Sequence, residues 1–370
     1  MAEYNCYAAC SFGLEFAVAS ELKNMGFETR SADARVYFRA DEQGIARANL
    51  RLSCADRVYI IIDEFEARTF DELFENIKAI SWSDYLSKHS AFPVLGDSIH
   101  SVLKSVSDIQ KITKKAIVES LKSSYSLNFY KEDGEQKTVY VNILKDNVTV
   151  CLNTSGTGLN RRGYRIKNGT APLRETLAAG LIRTTRWFDR PFYDIMCGSG
   201  TIAIEAALKA ANIAPGMSRK FLSETWGSEY IKAYASERSK ARAEEIRGGL
   251  PPIFAYDIDP KMTDITRYHA KRAGVDKYIE IAMKDAREFT PITEKATVIS
   301  NPPYAVRMGE KDEVHSLYKA LGSRLSMFPD LKCYFICSDE EFEHFFGKKC
   351  DKKRKLYNGN MKCFFYQYFK

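Results

Sequence analysis

The chain has 370 residues, 45% of them hydrophobic and 28% charged, with a formal net charge of +7. That is enough apolar material for two or three cored domains. No run of 18 apolar residues occurs, and the start Met1-Ala2-Glu3-Tyr4-Asn5-Cys6 has no basic stretch leading into an apolar one, so membrane insertion and secretion are not expected and the cytoplasm is.

In chain order, Tyr4 to Cys10 reads as an aromatic, apolar strand. Gly13 to Met25 carries Leu14, Ala17, Val18, Leu22 and Met25 at helical spacing and stops at Gly26. Arg35 to Arg39 predicts a strand, Gly44 to Ser53 a helix and Arg57 to Asp63 a strand, five of the six elements of a small β-α-β-β-α-β module. A helix over Phe70 to Ala79, a strand-like Ala91 to Leu95, a lysine-rich helix over Ser107 to Ser123 and strands at Thr138 to Leu144 and Asn147 to Asn153 follow. Lys104, Lys111, Lys114, Lys115 and Lys122 fall largely on one side of the lysine-rich stretch, opposite Ile109, Ile112, Ala116, Ile117 and Leu121. One face can pack while the other meets phosphates. Arg161, Arg162, Tyr164 and Arg165 place an aromatic between arginines, which suits a nucleic-acid backbone contact with base stacking or, equally, the cap of a hairpin where domains join. Residues 88–167 hold 13 Lys+Arg against 7 Asp+Glu, and a second basic run spans Lys348 to Lys355. Two such segments suggest a polyanionic partner.

Leu173 to Phe188 predicts a helix with Pro172 at its first position, ending before Pro191. Phe192 to Met196 is a short apolar strand running into Asp194-Ile195-Met196-Cys197-Gly198-Ser199-Gly200-Thr201, and the alanine-rich Thr201 to Ala211 is a helix. Glycines at 198 and 200 permit a sharp turn, against which a ligand can lie close to the backbone and the unpaired N–H groups of the new helix. Pro215 to Leu250 is polar and poor in core residues, an excursion on the face of the sheet with a helix around Tyr230 to Ile246. Pro252 to Tyr256 predicts a strand ending at Asp257-Ile258-Asp259, and Pro260 opens a helix to Ala273. Asp257 is placed to grip a ribose, since one carboxylate can accept from two vicinal hydroxyls, and Asp259 to cap the helix. A strand at Tyr278 to Ala282 leads to Asp285-Ala286. A strand at Ala296 to Ser300 delivers Asn301-Pro302-Pro303-Tyr304. That stiff loop offers an amide, a carbonyl and an aromatic face, which together can grip a planar base with an exocyclic amine. A helix at Glu313 to Phe328, a strand at Leu331 to Ser338 and a hairpin turning at Asn358-Gly359 close the chain.

The glycine turn and the Asn-Pro-Pro-Tyr loop together resemble the Rossmann-like S-adenosylmethionine-dependent methyltransferases that modify exocyclic amines of nucleic-acid bases. Asn153-Thr154-Ser155-Gly156, Arg162-Gly163-Tyr164-Arg165, Ala171-Pro172-Leu173-Arg174-Glu175-Thr176 and Ala214-Pro215-Gly216 extend the likeness over essentially the whole chain, to the bacterial large-subunit ribosomal RNA guanine-N2 methyltransferases. Ile195 stands where that family commonly has proline. The resemblance implies a ferredoxin-like domain over 1–64, a THUMP RNA-binding domain over 65–155, a linker over 156–170 and a Rossmann-like domain with a seven-stranded, mostly parallel sheet over 171–370. It implies S-adenosylmethionine as cofactor, bound by Asp194, Cys197, Gly198, Ser199, Gly200, Thr201, Asp257, Asp285, Ala286 and Asn301. Catalysis would rest on Asn301, Pro302 and Tyr304, and RNA contact on Lys104, Lys111, Lys114, Lys115, Arg161, Arg162 and Arg165.

The chemistry needs position more than acid–base help: the loop amide and the Pro302 carbonyl can each accept one N–H of the amine while Tyr304 stacks on the base. No metal is called for, because the nine cysteines lack Cys-x-x-Cys spacing. Cys6, Cys10, Cys333 and Cys337 read as core residues in a reducing compartment. The five histidines show no pairing that suggests a general base. The expected activity is methylation of a guanine N2 in RNA, 23S ribosomal RNA above all. Adenine-N6 methylation and an inactive RNA-binding assembly factor are the alternatives. A nicotinamide dehydrogenase is disfavoured because the third glycine of the dinucleotide fingerprint is missing.

Overall fold

The structure is a computed structural model that describes residues 3–165, 173–304 and 311–369. Pro172, expected at a helix start, lies outside the described residues, as does Ala171. The first half contains β1 (Tyr4–Cys10), α1 (Glu15–Asn24), β2 (Arg30–Ala32), β3 (Arg35–Ala40), α2 (Glu42–Arg51), β4 (Ala55–Glu66), α3 (Phe70–Ala79), β5 (Val94–Ile99), α4 (Val106–Ser124), β6 (Val139–Leu144) and β7 (Asn147–Asn153). Side chains set the helix starts: Asp41 accepts from the Gly44 N–H at 2.8 Å, Thr69 and Glu72 form a capping box, and Ser105 caps α4.

These strands make one seven-stranded sheet, ordered β2-β3-β1-β4-β7-β6-β5. The joint is β4, 12 residues long and rich in β-branched side chains. Its first half pairs with β1 and its length from Tyr59 to Glu66 pairs with β7. It therefore runs straight through the boundary expected between 64 and 65. β5 sits later than the expected Ala91 to Leu95, because Pro93 cannot donate to a ladder and Ala91 makes only an isolated bridge to Gln136. Gly96 fits there by necessity, since a Cβ would lie 2.6 Å from the Val141 carbonyl oxygen.

The second half contains α5 (Glu175–Thr184), β8 (Phe192–Asp194), α6 (Thr201–Ala210), α7 (Ser228–Ala243), β9 (Ile253–Asp257), α8 (Pro260–Ala273), β10 (Ile279–Met283), β11 (Thr297–Ser300), α9 (Lys311–Leu325), β12 (Lys332–Cys337), α10 (Phe342–Phe346), β13 (Lys352–Asn358) and β14 (Met361–Tyr368). The sheet order is β10-β9-β8-β11-β12-β14-β13, with β10 through β12 parallel and the final hairpin antiparallel. This is the expected mostly parallel seven-stranded α/β sheet. α5 ends four residues before the expected Phe188: the Thr184 and Thr185 hydroxyls turn back onto the Gly180 and Ile182 carbonyls at 2.8 Å each, and Arg186 is left-handed at φ +53°.

Two expectations fail at the junction of the halves. Most of residues 215–250 do not lie on the face of the second sheet. Phe221, Tyr230, Ala233, Tyr234 and Ala241 join the hydrophobic core of the first half, α7 packs on α2, and Glu237 takes Arg47 and Arg51. Spacing hid this because only one narrow stripe of α7 is apolar. The described part of the expected 156–170 linker, residues 156–165, is not loose either, since Leu159, Arg162 and Tyr164 are buried; residues 166–170 lie outside the described residues. In the opposite direction, Leu14 of the first half belongs to the core of the second and fills a notch at Gly180, where a Cβ would come within 2.7 Å of it.

Candidate active site

The turn after β8 is built by its two glycines. Gly198 has φ +52° and Gly200 φ +83°, left-handed values that suit residues without a Cβ. A Cβ on Gly200 would lie 2.6 Å from Thr266 Cγ2, whereas one on Gly198 would meet nothing within 4 Å, so the backbone there faces open space. The Thr266 hydroxyl donates to the Gly198 carbonyl at 2.8 Å, and His269 Nδ1 sits 3.0 Å from the Ser199 carbonyl, its pKa lowered by burial. Asp257 stands opposite at the end of β9: Oδ2 accepts the Gly198 N–H at 2.8 Å and Oδ1 the Asp259 N–H at 3.0 Å. Each oxygen keeps a lone pair for an outside donor. Asp259 caps α8 through the Lys261 N–H at 2.8 Å, with Pro260 in the first turn.

Other candidates are engaged within the chain. Thr201 is buried and its hydroxyl accepts from Arg165. Cys197 is buried, which pushes its thiol pKa well up and keeps it protonated. Asp285 caps the turn at Ala286 and holds the Arg287 guanidinium with both oxygens, at 3.0 and 2.8 Å to Nε, which keeps its pKa below the usual value. Ala286 is buried beneath it.

Asp194 points inward rather than into the cleft. It is 1% exposed, and burial raises its pKa to about 7. Its Oδ1 accepts the Ser300 hydroxyl at 2.8 Å, while Ser300 Oγ accepts the Ile195 N–H at 2.7 Å. Ser300 immediately precedes Asn301, so the glycine-turn strand and the Asn301 loop are fastened together. The loop's other end is fastened by α9, where the buried Tyr318 hydroxyl donates to the Pro303 carbonyl at 2.7 Å. Between the two fastenings Asn301 and Tyr304 are half-buried and Pro302 is buried.

Sequence spacing gave no sign of three further features. Ile258 and Met283 are 59% and 62% exposed beside Asp257, at the ends of paired strands β9 and β10; a large apolar side chain just past a strand-end acid is the signal that could have found Ile258. His315, read in sequence only as showing no pairing that suggests a general base, lies 3.0 Å from Asp339 and stacks on Phe345 at 3.7 Å between ring centroids.

The expected RNA-binding set divides. Lys104, Lys111, Lys115 and Arg161 are exposed. Lys114 is not free: its ammonium is 2.6 Å from Glu132 and donates to the Phe92 carbonyl at 2.9 Å. Arg162 is 4% exposed and clasps Glu205, 3% exposed, with Nε and Nη2 at 3.3 Å each. Arg165 pairs with Glu175 at 3.4 Å and donates to the Leu173 carbonyl, and Tyr164 is buried with its hydroxyl on Glu205. Arg162, which also donates to the Ser53 carbonyl, therefore braces the junction of the two halves, while Tyr164 and Arg165 are engaged by residues of the second half.

A family profile described as "RMKL-like, methyltransferase domain" matches residues 162–367. The chain belongs to the RMKL-like methyltransferases. Profiles for the RlmL ferredoxin-like domain and the THUMP domain match residues 5–59 and 67–153. This RMKL-like chain is 43% identical to YpsC of Bacillus subtilis (strain 168), named as a candidate RNA methyltransferase, over 100% of the chain and 97% of that protein. It is 32% identical to the ribosomal RNA large subunit methyltransferase K/L of Cellvibrio japonicus (strain Ueda107), over 96% of the chain and 50% of the relative, and so spans about half that protein's length. Among solved structures it resembles a predicted N6-adenine-specific DNA methylase from Listeria monocytogenes str. 4b F2365, with TM-score 0.94, 42% identity and coverage of 100% and 97%. It also resembles SMU.472, a candidate methyltransferase complexed with SAH, with TM-score 0.93, 35% identity and coverage of 100% and 98%.

Proposed function

We propose that this chain is an S-adenosylmethionine-dependent RNA methyltransferase that acts on the exocyclic N2 of a guanine in large-subunit (23S) ribosomal RNA. The observation that carries the reading is the fastening of the Asn301 loop, through Ser300, Asp194 and the Ile195 N–H, to the strand that leads into an open glycine turn facing Asp257. The site suits a nucleoside cofactor: open backbone over Gly198, spare lone pairs on Asp257 for ribose hydroxyls, and exposed Ile258 and Met283 as apolar faces for a purine. Ser199 and Thr201 shape the turn, and Ala286 with Asp285 walls the purine side.

Bound there, S-adenosylmethionine supplies an electrophilic methyl group on a sulfonium sulfur. Asn301 Oδ1 and the Pro302 carbonyl each accept one N–H of the target amine, leaving its lone pair directed out of the base plane. Tyr304 stacks on the base, which must leave its helix or loop to reach it. Residues 171–370 carry this chemistry, and residues 65–155 hold the RNA through Lys104, Lys111 and Lys115, with Arg161 beside the junction.

Adenine-N6 transfer is the second reading, favoured by the name of the Listeria neighbour and by a loop that grips either amine. Purified protein incubated with S-adenosylmethionine and 23S RNA, followed by nucleoside mass spectrometry, separates the two. N2-methylguanosine is the expected product. N6-methyladenosine replaces the reading, and no methylated nucleoside supports an inactive assembly factor.

A further inference from the structure

The final hairpin carries a pattern that the chemistry above leaves unused. β13 and β14 pair so that Lys353 faces Tyr366, Lys355 faces Phe364 and Tyr357 faces Lys362. Cross-strand partners share one face of a sheet, so cations and aromatic rings alternate there in both directions. The contacts follow: the Lys353 ammonium lies 4.4 Å from the Phe364 ring centroid, that of Lys362 4.9 Å from the same ring, and that of Lys355 5.4 Å from the Tyr357 ring. Lys362 and Lys353 also have carboxylate neighbours, Glu340 at 2.5 Å and Glu343 at 4.0 Å. Lys355 is exposed and makes no ion pair among the described residues, while Tyr357 and Phe364 are half-buried.

This face lies beside the Asn301 loop. β14 runs antiparallel to β12, which brings Phe364 opposite Cys337 at the end of β12. The Cys337 sulfur is 3.3 Å from the Tyr318 hydroxyl that holds Pro303, and Tyr304 and Phe364 pack on the same hydrophobic cluster. A platform of rings interleaved with cations suits unpaired nucleotides, whose bases stack on aromatic faces while their phosphates meet ammonium groups. A duplex, with its bases already stacked, gains only the charge.

We propose that the face of the β13–β14 hairpin formed by Lys353, Lys355, Tyr357, Lys362 and Phe364 binds the unpaired RNA nucleotides that flank the target base. The inference rests on the RNA methyltransferase reading of the Asn301 loop and adds to it the route by which the strand reaches that loop. It makes single-stranded RNA, not duplex, the form recognised at the catalytic end of the molecule.

The test measures anisotropy of a labelled, unpaired RNA oligonucleotide with the full chain, its Tyr357→Ala, Tyr357→Phe and Lys355→Ala variants, and Asn301→Ala as reference. Tyr357→Ala should weaken binding about tenfold, the loss of one stacked base. Tyr357→Phe should restore it, and Lys355→Ala should reduce the slope of log affinity against log salt by about 0.7. S-adenosylmethionine affinity, unchanged in the Tyr357 and Lys355 variants, reports an intact fold. Parental oligonucleotide affinity in both Tyr357→Ala and Lys355→Ala overturns the proposal, as does equal weakening of duplex RNA by Tyr357→Ala. If the parent chain binds no RNA, or Asn301→Ala methylates at the parental rate, it is the underlying enzymatic reading that fails.

Discussion

At the residue scale the site is a set of atoms whose loss should have separable effects. Asn301→Ala should lower single-turnover methyl transfer about a hundredfold or more, because the proposed preorganised acceptor for the amine is gone, while RNA affinity persists. Asn301→Asp, which keeps an acceptor, should lose less. Asp194 gives a pH signature. Its folded pKa of about 7 stands above the ordinary 3.8, so between those values the folded chain binds the extra proton and this residue's share of stability falls as pH rises. Denaturant unfolding of Asp194→Asn should therefore gain on the parent from about pH 4 to about pH 7 and hold a constant difference above. A difference that does not vary with pH rejects the shifted carboxyl. Much of this site could be read from spacing alone: Gly198, Gly200, Asp257 and Asn301 are local signals at strand ends. Asp194 could not be read so, because its partner Ser300 is 106 residues away, and a strand-end acid looks the same whether it faces a cleft or a neighbouring strand.

At the scale of elements, α4 and α7 show where patterns mislead. The lysines of α4 were spaced for one face, yet Lys114 is claimed by Glu132 across the fold. Lys111→Ala with Lys115→Ala should lower the salt slope of RNA binding by roughly 1.4 to 1.8, two phosphate contacts' worth. Lys114→Ala should leave the slope unchanged and lower stability instead; identical behaviour of the two variants in a salt titration would refute that division. The helices were legible because caps and apolar spacing are local, whereas β2, three residues of Arg-Ser-Ala, exists only because β3 pairs with it. α7 reads as solvated because its length and charge dominate, but Tyr230 and Tyr234 anchor it to the first core, where the Tyr234 hydroxyl accepts the Asn49 amide N–H at 3.0 Å and shares a hydrogen bond with the Ser223 hydroxyl at 2.8 Å.

At the scale of the whole molecule, the two halves are welded by traded parts: Leu14 in the second core, α7 in the first, Arg183 on Glu21 at 2.9 Å, and Arg162 on Glu205 between them. Arg162→Ala should cost about 3–5 kcal/mol in chemical denaturation, since it strands a buried carboxylate. Restoring an apolar pair with Arg162→Met and Glu205→Leu should recover much of it; a loss under about 1 kcal/mol for Arg162→Ala would show that water compensates Glu205. The single sheet that β4 carries through both N-terminal modules has one more consequence. With that sheet continuous and the halves interlocked by these contacts, the proposed RNA-binding lysines of α4 and the Asn301 loop would keep a constant separation, and the molecule would act as a ruler. On the proposed reading an RNA target would be chosen by span as much as by base, the modified nucleotide lying a set distance from a stem gripped at the other end. Lengthening that stem by a few base pairs should silence the site without touching a nucleotide that the loop contacts.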